Sequence, residues 1–363
     1  MNRDSNSILL WTGFDPVPDL GGGNLRTAQI VELSAEAGFA VRRIGTDARV
    51  PFLARLSGGL RSRFALRRAG ILIPLRNLFL HGFYDAILRL AFIGHRGVRL
   101  LLWEQTSIAL PALLAKEFGF TVIALPQNME SLVGSRESMA LMPPEFAALS
   151  MADRVVCISD EESWLLANLG MPSGILRYHP VKSRRLALEA IARRREGGLA
   201  ADAPWVVLGS AHNICNREGM RTLLRWIQQG LREGMKFTLA GFGTEKLEGE
   251  FAATGIRFLG TVPGRQLEEL MAAARGVLVH QDYGAGALTR IPEALIARVP
   301  VIANRIAARS TRGCDGISIY DSQEELLNLL RAGAAAVDRP PPPPAEEMHR
   351  FVALLQSASK RNG

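Results

Sequence analysis

Short apolar runs rich in Val, Ile and Leu recur along this chain and alternate with stretches in which apolar residues return every three or four positions. Continuous apolar runs suit parallel strands covered on both faces, and the longer period suits amphipathic helices. Strands are expected at residues 7–11, 39–44, 98–103, 120–125, 155–159 and 175–178, with helices after most of them. The first helix runs over residues 25–37 and is closed by Gly38. A second series of strands falls at residues 205–208, 237–240, 256–259, 277–279 and 299–303, with helices starting near Glu218, Thr244, Gly264, Arg290 and Gln323. Such alternation predicts an α/β chain of doubly wound parallel sheets, and two series predict two Rossmann-like domains facing a cleft. Between them, Lys182, Arg184, Arg185, Arg193, Arg194 and Arg195 precede Gly197 and Gly198, which places a hinge at residues 181–204. The expected division is residues 1–181, then 182–338, then a tail at 339–363. The tail opens with a stiff proline run, residues 339–344. A helical pattern over residues 345–359 follows, expected to pack back on the first domain.

Length and composition agree with that division. At 363 residues the chain is too long for one ordinary core, and 48% hydrophobic with 21% charged residues is the balance of a globular protein, not a disordered one. Residues 71–93 are the most apolar region, but Arg76, His81, Asp85 and Arg89 interrupt them, so no membrane-spanning helix is expected. The first residues lack the apolar stretch of a secretion signal. Cys157, Cys215 and Cys314 are few, odd in number and far apart, as expected of reduced thiols in the cytoplasm.

Charge changes the picture in one region. The formal net charge is +8, and residues 49–99 hold ten arginines and a single acid, Asp85, interleaved with Phe52, Phe64, Leu75, Phe79 and Leu88. An arginine-rich amphipathic surface suits an anionic membrane or a phosphorylated lipid; a solvated basic face is the alternative. No nucleic-acid-binding module is present, so no nucleic-acid partner is expected.

Two glycine-bearing turns carry candidate chemistry. Gly21, Gly22 and Gly23 lie between the first strand and the first helix, where a diphosphate can approach the backbone and meet the helix N-terminus. A tight turn with no ligand fits equally well. Arg26 stands one step into that helix as a further phosphate contact. The second turn lies in Tyr283-Gly284-Ala285-Gly286-Ala287-Leu288-Thr289-Arg290-Ile291-Pro292-Glu293, where a loop follows the strand ending near His280 and a helix begins close to Leu288. The backbone amides of Gly286, Ala287 and Leu288 then face a phosphate, Arg290 neutralises it, and Glu293 accepts hydrogen bonds from a ribose diol. The competing reading of Glu293 is a surface helix acid.

Residues 283–303, ending in Glu293-Ala294-Leu295 and Pro300-Val301-Ile302-Ala303, resemble the donor-binding segment of family-4, retaining GT-B glycosyltransferases. Further pieces follow in that family's order: Ala152-Asp153-Arg154-Val155 through Ser159, then Val207-Leu208-Gly209-Ser210 with Asn216 and Gly219. Leu239-Ala240-Gly241-Phe242-Gly243 and Phe258-Leu259-Gly260-Thr261-Val262 complete the series. The resemblance covers most of the chain. It implies an acceptor-side domain at 1–181 and a nucleotide-sugar domain at 182–338. Gly22 and Gly23 would line the donor diphosphate from the first, Gly209 and Ser210 from the second. Phe242, Gly243 and Val262 would border the base and Glu293 would hold the ribose. Asn128 and Glu130 match a turn near the sugar and join Arg290 as catalytic candidates.

Three departures stand out. Ala285 occupies the place of the family's first acid, Gln127 that of a histidine, and Ser210 and Glu218 stand near its missing Arg and Lys clamp. Arg290, with Arg217 beside it in role, must then supply the charge. The implied reaction moves a sugar from a nucleotide-diphosphate co-substrate to a lipid-linked or polysaccharide-precursor acceptor, retaining configuration, without metal or other cofactor. The expected place of action is the cytoplasm, peripheral on the inner leaflet. A non-catalytic binding subunit and a nucleotide-sugar epimerase are the alternatives.

Overall fold

The computed structural model describes residues 6–17, 21–95, 97–134, 136–230, 234–251, 255–311 and 313–360. Residues 1–5 and Arg96, part of the stretches considered above, lie outside them. The described chain forms two compact units. The first comprises Met1–Pro16, Arg26–Arg177 and Pro344–Gly363; the second comprises Val17–Leu25 and Tyr178–Pro343.

The first unit is built on a parallel six-stranded sheet of order β2-β1-β3-β4-β5-β6. Its strands are β1 (Ser7–Trp11), β2 (Ala40–Arg43), β3 (Leu100–Trp103), β4 (Thr121–Ala124), β5 (Arg154–Cys157) and β6 (Ser173–Ile175). Because side chains alternate across a strand, Leu9, Trp11, Leu101 and Trp103 enter one core cluster. Ile8, Leu10, Leu100 and Leu102 enter the cluster on the opposite face. The helix Ala345–Lys360 covers that second face, adding Phe351, Leu355 and Ala358. Residues 176–178, expected as strand, leave the ladder at β6. Leu176 and Tyr178 are buried all the same, so their apolar character serves packing.

The second unit repeats the architecture with the order β12-β11-β10-β7-β8-β9. Its strands are β7 (Trp205–Leu208), β8 (Phe237–Ala240), β9 (Arg257–Gly260), β10 (Gly276–Val279), β11 (Val301–Asn304) and β12 (Ile317–Tyr320). The last was not expected from the sequence; it is a four-residue edge strand behind Gly316. The segment expected as a hinge contains the helix Lys182–Arg195, which sends Leu188 and Ile191 into the second unit's core. Its arginines are not linker charges: Arg195 donates to the carbonyls of Ala274 (2.6 Å) and Arg298 (3.0 Å). The helix expected near Glu218 starts four residues earlier, at Ile214. The Asn213 side chain accepts the Asn216 N–H at 3.1 Å and caps it there.

In an open α/β sheet, ligands bind beyond the carboxyl ends of the strands where the strand order reverses. Here that point lies between β7 and β10 in the second unit, and between β1 and β3 in the first.

Candidate functional site

Beyond β7 come Gly209 and Ser210; beyond β10 come His280 and Gln281. The segments after these two strands are drawn close by glycine. A Cβ on Gly219 would lie 2.2 Å from the His280 carbonyl oxygen, so only glycine lets the helix Ile214–Gly230 pack there. His280 is buried between Tyr320, whose hydroxyl stands 2.8 Å from Nδ1, and Asp282, 2.9 Å from Nε2. These contacts fasten the start of the loop that carries Gly284 and Gly286.

Arg290 opens the helix Arg290–Ile296 behind that loop. Its Nη2 donates to Asn216 Oδ1 at 3.0 Å, its Nη1 lies against Gly209, and its enclosed Nε has no partner among the described residues. None of the described carboxylates pairs with it. Burial lowers its pKa to about 10, and the neighbouring Arg309 acts in the same direction. A half-buried guanidinium with a second cation beside it and no carboxylate partner among the described residues is a positive site that an anion would satisfy.

Arg309 carries no sequence signal and was not anticipated. It donates to the carbonyl of Gly286 (2.8 Å) and to Gln281 Oε1 (2.9 Å), and also to the Ala285 carbonyl, so it braces the glycine loop from below. Gln281 in turn donates to Asn216 Oδ1 at 3.0 Å. Asn216 therefore joins the segment after β10 to Arg290. Arg217, the other expected cation, instead sits 3.3 Å from Glu218.

The remaining candidates of this unit fall as follows. Gly286 has φ +67°, a conformation that favours glycine, and Ala287 and Leu288 follow it toward the helix. Gly22 lies in the part of the N-terminal turn that clusters with this unit, and a Cβ on it would stand 3.2 Å from Thr289 Oγ1. Gly23 is its neighbour, at the start of the helix Gly22–Glu36. Ser210 Oγ accepts the His212 N–H at 3.3 Å. Phe242 is 57% exposed and lies against the His212 ring, centroids 4.3 Å apart, which makes an aromatic shelf beside Gly243. Val262 is half-buried in the loop after β9.

Glu293 is not the surface acid of the competing reading. It is 6% exposed, and Arg184 donates to both oxygens (Nε 3.1 Å, Nη2 2.9 Å) while the Tyr178 hydroxyl donates at 2.8 Å. Its carboxylate ties the helix Arg290–Ile296 to the helix Lys182–Arg195.

Asn128 and Glu130 belong to the first unit, where Asn128 Nδ2 donates to Glu130 Oε1 at 3.1 Å. Burial raises the Glu130 pKa, the Asn128 hydrogen bond opposes this, and Glu145 adds to it. Their turn is held from behind: Glu162 accepts the Met129 N–H at 2.7 Å, and Glu145 accepts the Glu130 N–H at 2.8 Å. Gln127 donates to Glu104, a buried acid just beyond β3 that also accepts from Thr27 at 2.7 Å. Burial raises the Glu104 pKa. Arg26 departs from expectation. It is fully buried, and Nη1 donates to Gln29 at 2.8 Å within the first unit; it is a part of that interior and no contact for a solvent-borne phosphate.

Residues 204–332 match the family of glycosyl transferases group 1. A sequence search of curated proteins finds no match. Among solved structures, the chain is similar to sucrose-phosphate synthase from Thermosynechococcus elongatus, with TM-score 0.64, 20% identity, and 98% of this chain and 92% of that one covered. It is also similar to Anabaena HepE in complex with UDP and glucose (TM-score 0.60, 13% identity, 98% and 94% covered). A third is WaaG, a glycosyltransferase involved in lipopolysaccharide biosynthesis (TM-score 0.59, 15% identity, 97% and 95% covered).

Proposed function

We propose that this chain, a glycosyltransferase by its group 1 domain and its GT-B fold, transfers a sugar from a nucleoside-diphosphate donor to an acceptor hydroxyl with retention of configuration and without a metal ion. The observation that carries the reading is the Arg290 guanidinium, which pairs with no carboxylate among the described residues and sits at the strand-order reversal behind the Gly286 loop. When the bond from the anomeric carbon to the diphosphate breaks, its electron pair stays on the leaving oxygen. The acceptor oxygen bonds to the anomeric carbon and gives up its proton to the departing diphosphate. Arg290 and the amides of Gly286, Ala287 and Leu288 stabilise the departing charge without reorganising, the usual electrostatic route.

Phe242 offers a face for the base. Glu293, clamped by Arg184 and Tyr178, takes a ribose hydroxyl through its remaining lone pairs. Asn128 and Glu130 contact the transferred sugar, and Gly22, Gly23, Gly209 and Ser210 border the diphosphate. The acceptor is lipid-linked or a polysaccharide precursor, in keeping with the basic stretch at residues 49–99, and the chain works as a peripheral protein on an anionic cytoplasmic leaflet.

A thermal-shift panel of UDP, GDP, ADP and dTDP tests the reading. One nucleotide at about a hundred times its Kd raises the apparent stability by about 2.7 kcal/mol. UDP is tried first, because HepE is described with UDP and glucose. No shift with any of the four refutes a nucleotide-sugar site. A shift without slow release of nucleoside diphosphate from any nucleotide sugar leaves a binding subunit.

A further inference from the structure

We infer that the helices Phe52–Arg68 and Leu78–Gly94 form a closely packed pair that inserts apolar side chains into an anionic bilayer, holding the first unit by burial and not by charge alone. The inference rests on the membrane association proposed above and changes its physical basis.

The two helices touch backbone to backbone. A Cβ on Gly82 would lie 1.7 Å from the Arg55 carbonyl oxygen, and one on Gly59 would lie 2.4 Å from that of Leu78. Such close contact between small residues makes the pair rigid. Its inward side chains, Leu66, Ile87, Leu88 and Phe92, are buried in the core of the first unit. The apolar residues left outside are therefore surplus to folding.

There are many of them. Half of the exposed large hydrophobic residues among the described residues lie between Phe52 and Ile93. On the first helix, Leu53, Leu60 and Phe64 are spaced seven and four residues apart, so they share one face. The connection to the second helix adds Leu72 and Leu75, which with Leu53 are 70–77% exposed. A few scattered apolar residues on a surface need no explanation, but a concentration of this kind marks an interaction site.

Charge selects the occupant. Arg67, Arg68 and Arg76 are exposed beside this face. The one acid of the region, Asp85, is 1% exposed and taken by Arg61 (2.7 Å) and Arg89 (3.0 Å). Between Phe52 and Ile93 the surface is thus apolar with a cationic margin and carries no exposed carboxylate of its own; the neighbouring Glu117 is paired with Arg89 at 3.2 Å. Arginine stems lie along apolar surface while their heads reach water or phosphate, which fits lipid headgroups with acyl chains beneath. No helix among the described residues is long and apolar enough to cross a membrane, so the pair lies in the interface.

Co-sedimentation with vesicles of phosphatidylglycerol and phosphatidylcholine separates the two physical bases. At about 1 M salt the screening length falls to about 3 Å, and a purely electrostatic attachment is lost. The full-length chain is expected to keep its binding there within about threefold. Replacing Leu53→Ser, Leu72→Ser and Leu75→Ser together is expected to weaken binding about a hundredfold at low and high salt alike. Because these side chains are exposed, the triple variant keeps its melting temperature and its nucleotide-induced thermal shift. Fluorescence from a Leu72→Trp variant should be quenched by brominated acyl chains. Binding that disappears at high salt overturns insertion and leaves the electrostatic reading. No binding at any salt overturns both, while the nucleotide shift still reports separately on the donor site. A lipid-free dimer that the triple variant dissolves would assign the face to a second copy and overturn the inference.

Discussion

Arg26 and Arg290 occupy matching places in the two units, each close to the start of the helix that follows a glycine-bearing turn, and their surroundings differ. Burial lowers the pKa of both to about 10. The difference lies in their neighbours. Around Arg26 stand Glu104, Glu162 and Glu347, whose charges favour its protonated form, although its Nε and Nη2 make no direct hydrogen bond among the described residues. Around Arg290 the charged neighbour is Arg309. The first arginine has its counter-charge inside the fold; the second has none among the described residues. A glycine turn followed by arginine is therefore not sufficient for a phosphate site, and the carboxylates brought by distant segments decide.

The comparison breaks most readily at Arg290. Arg290→Ala should lower donor turnover on the order of a hundredfold to a thousandfold, the range for removing one preformed donor to developing charge. Its melting temperature should stay near that of the parent, measured by scanning calorimetry. A large loss of stability with normal turnover in the folded fraction would make Arg290 structural, like Arg26.

Arg26→Ala should show the reverse pattern. Leaving buried carboxylates without their cation costs about 3 kcal/mol of stability, read from chemical denaturation. Nucleotide affinity of the folded protein should be unchanged, and an affinity loss without destabilisation would put Arg26 in the donor site.

Glu293→Ala should weaken nucleoside-diphosphate binding by about tenfold, since a hydrogen bond to a charged group contributes about 1.5–3 kcal/mol. It should also lower stability, because Arg184 loses its partner in a site where its side chain is only 11% exposed. Calorimetry that finds affinity intact while stability falls would leave Glu293 as a tie between helices alone.

The smallest effect is expected at Arg309. Arg309→Lys keeps the charge but loses the fork that holds the carbonyls of Gly286 and Ala285. Turnover should drop by less than about tenfold, through kcat more than KM, with the melting temperature nearly unchanged. Equal activity would mean that charge alone matters at this position.

Most of the sheet architecture was legible in the chain itself. β1, β7 and β8 fall where their apolar runs begin and end, because a parallel strand covered on both faces must be apolar throughout. The errors fall at the edges. β12 was missed, and β6 ends where apolar residues continue, since an edge strand has one neighbour and burial there does not require a ladder. The helix Lys182–Arg195 looked like a charged linker because its apolar contacts come from two residues, Leu188 and Ile191, among many arginines.

The site divides along the same line. Local sequence sufficed for the Gly286 turn and for placing Arg290 at the start of its helix, since glycine conformation and helix position depend on near neighbours. It could not decide which arginine lacks a counter-charge, because Glu104 and Glu347 reach Arg26 from segments far along the chain, and Arg309 reaches Arg290 from beyond β11. Nor could it show that Glu293 is held by Arg184 and Tyr178, more than a hundred residues earlier. Electrostatic interactions depend on distance through space and on burial, so only the tertiary fold could separate an arginine surrounded by carboxylates from one whose charged neighbour is another arginine.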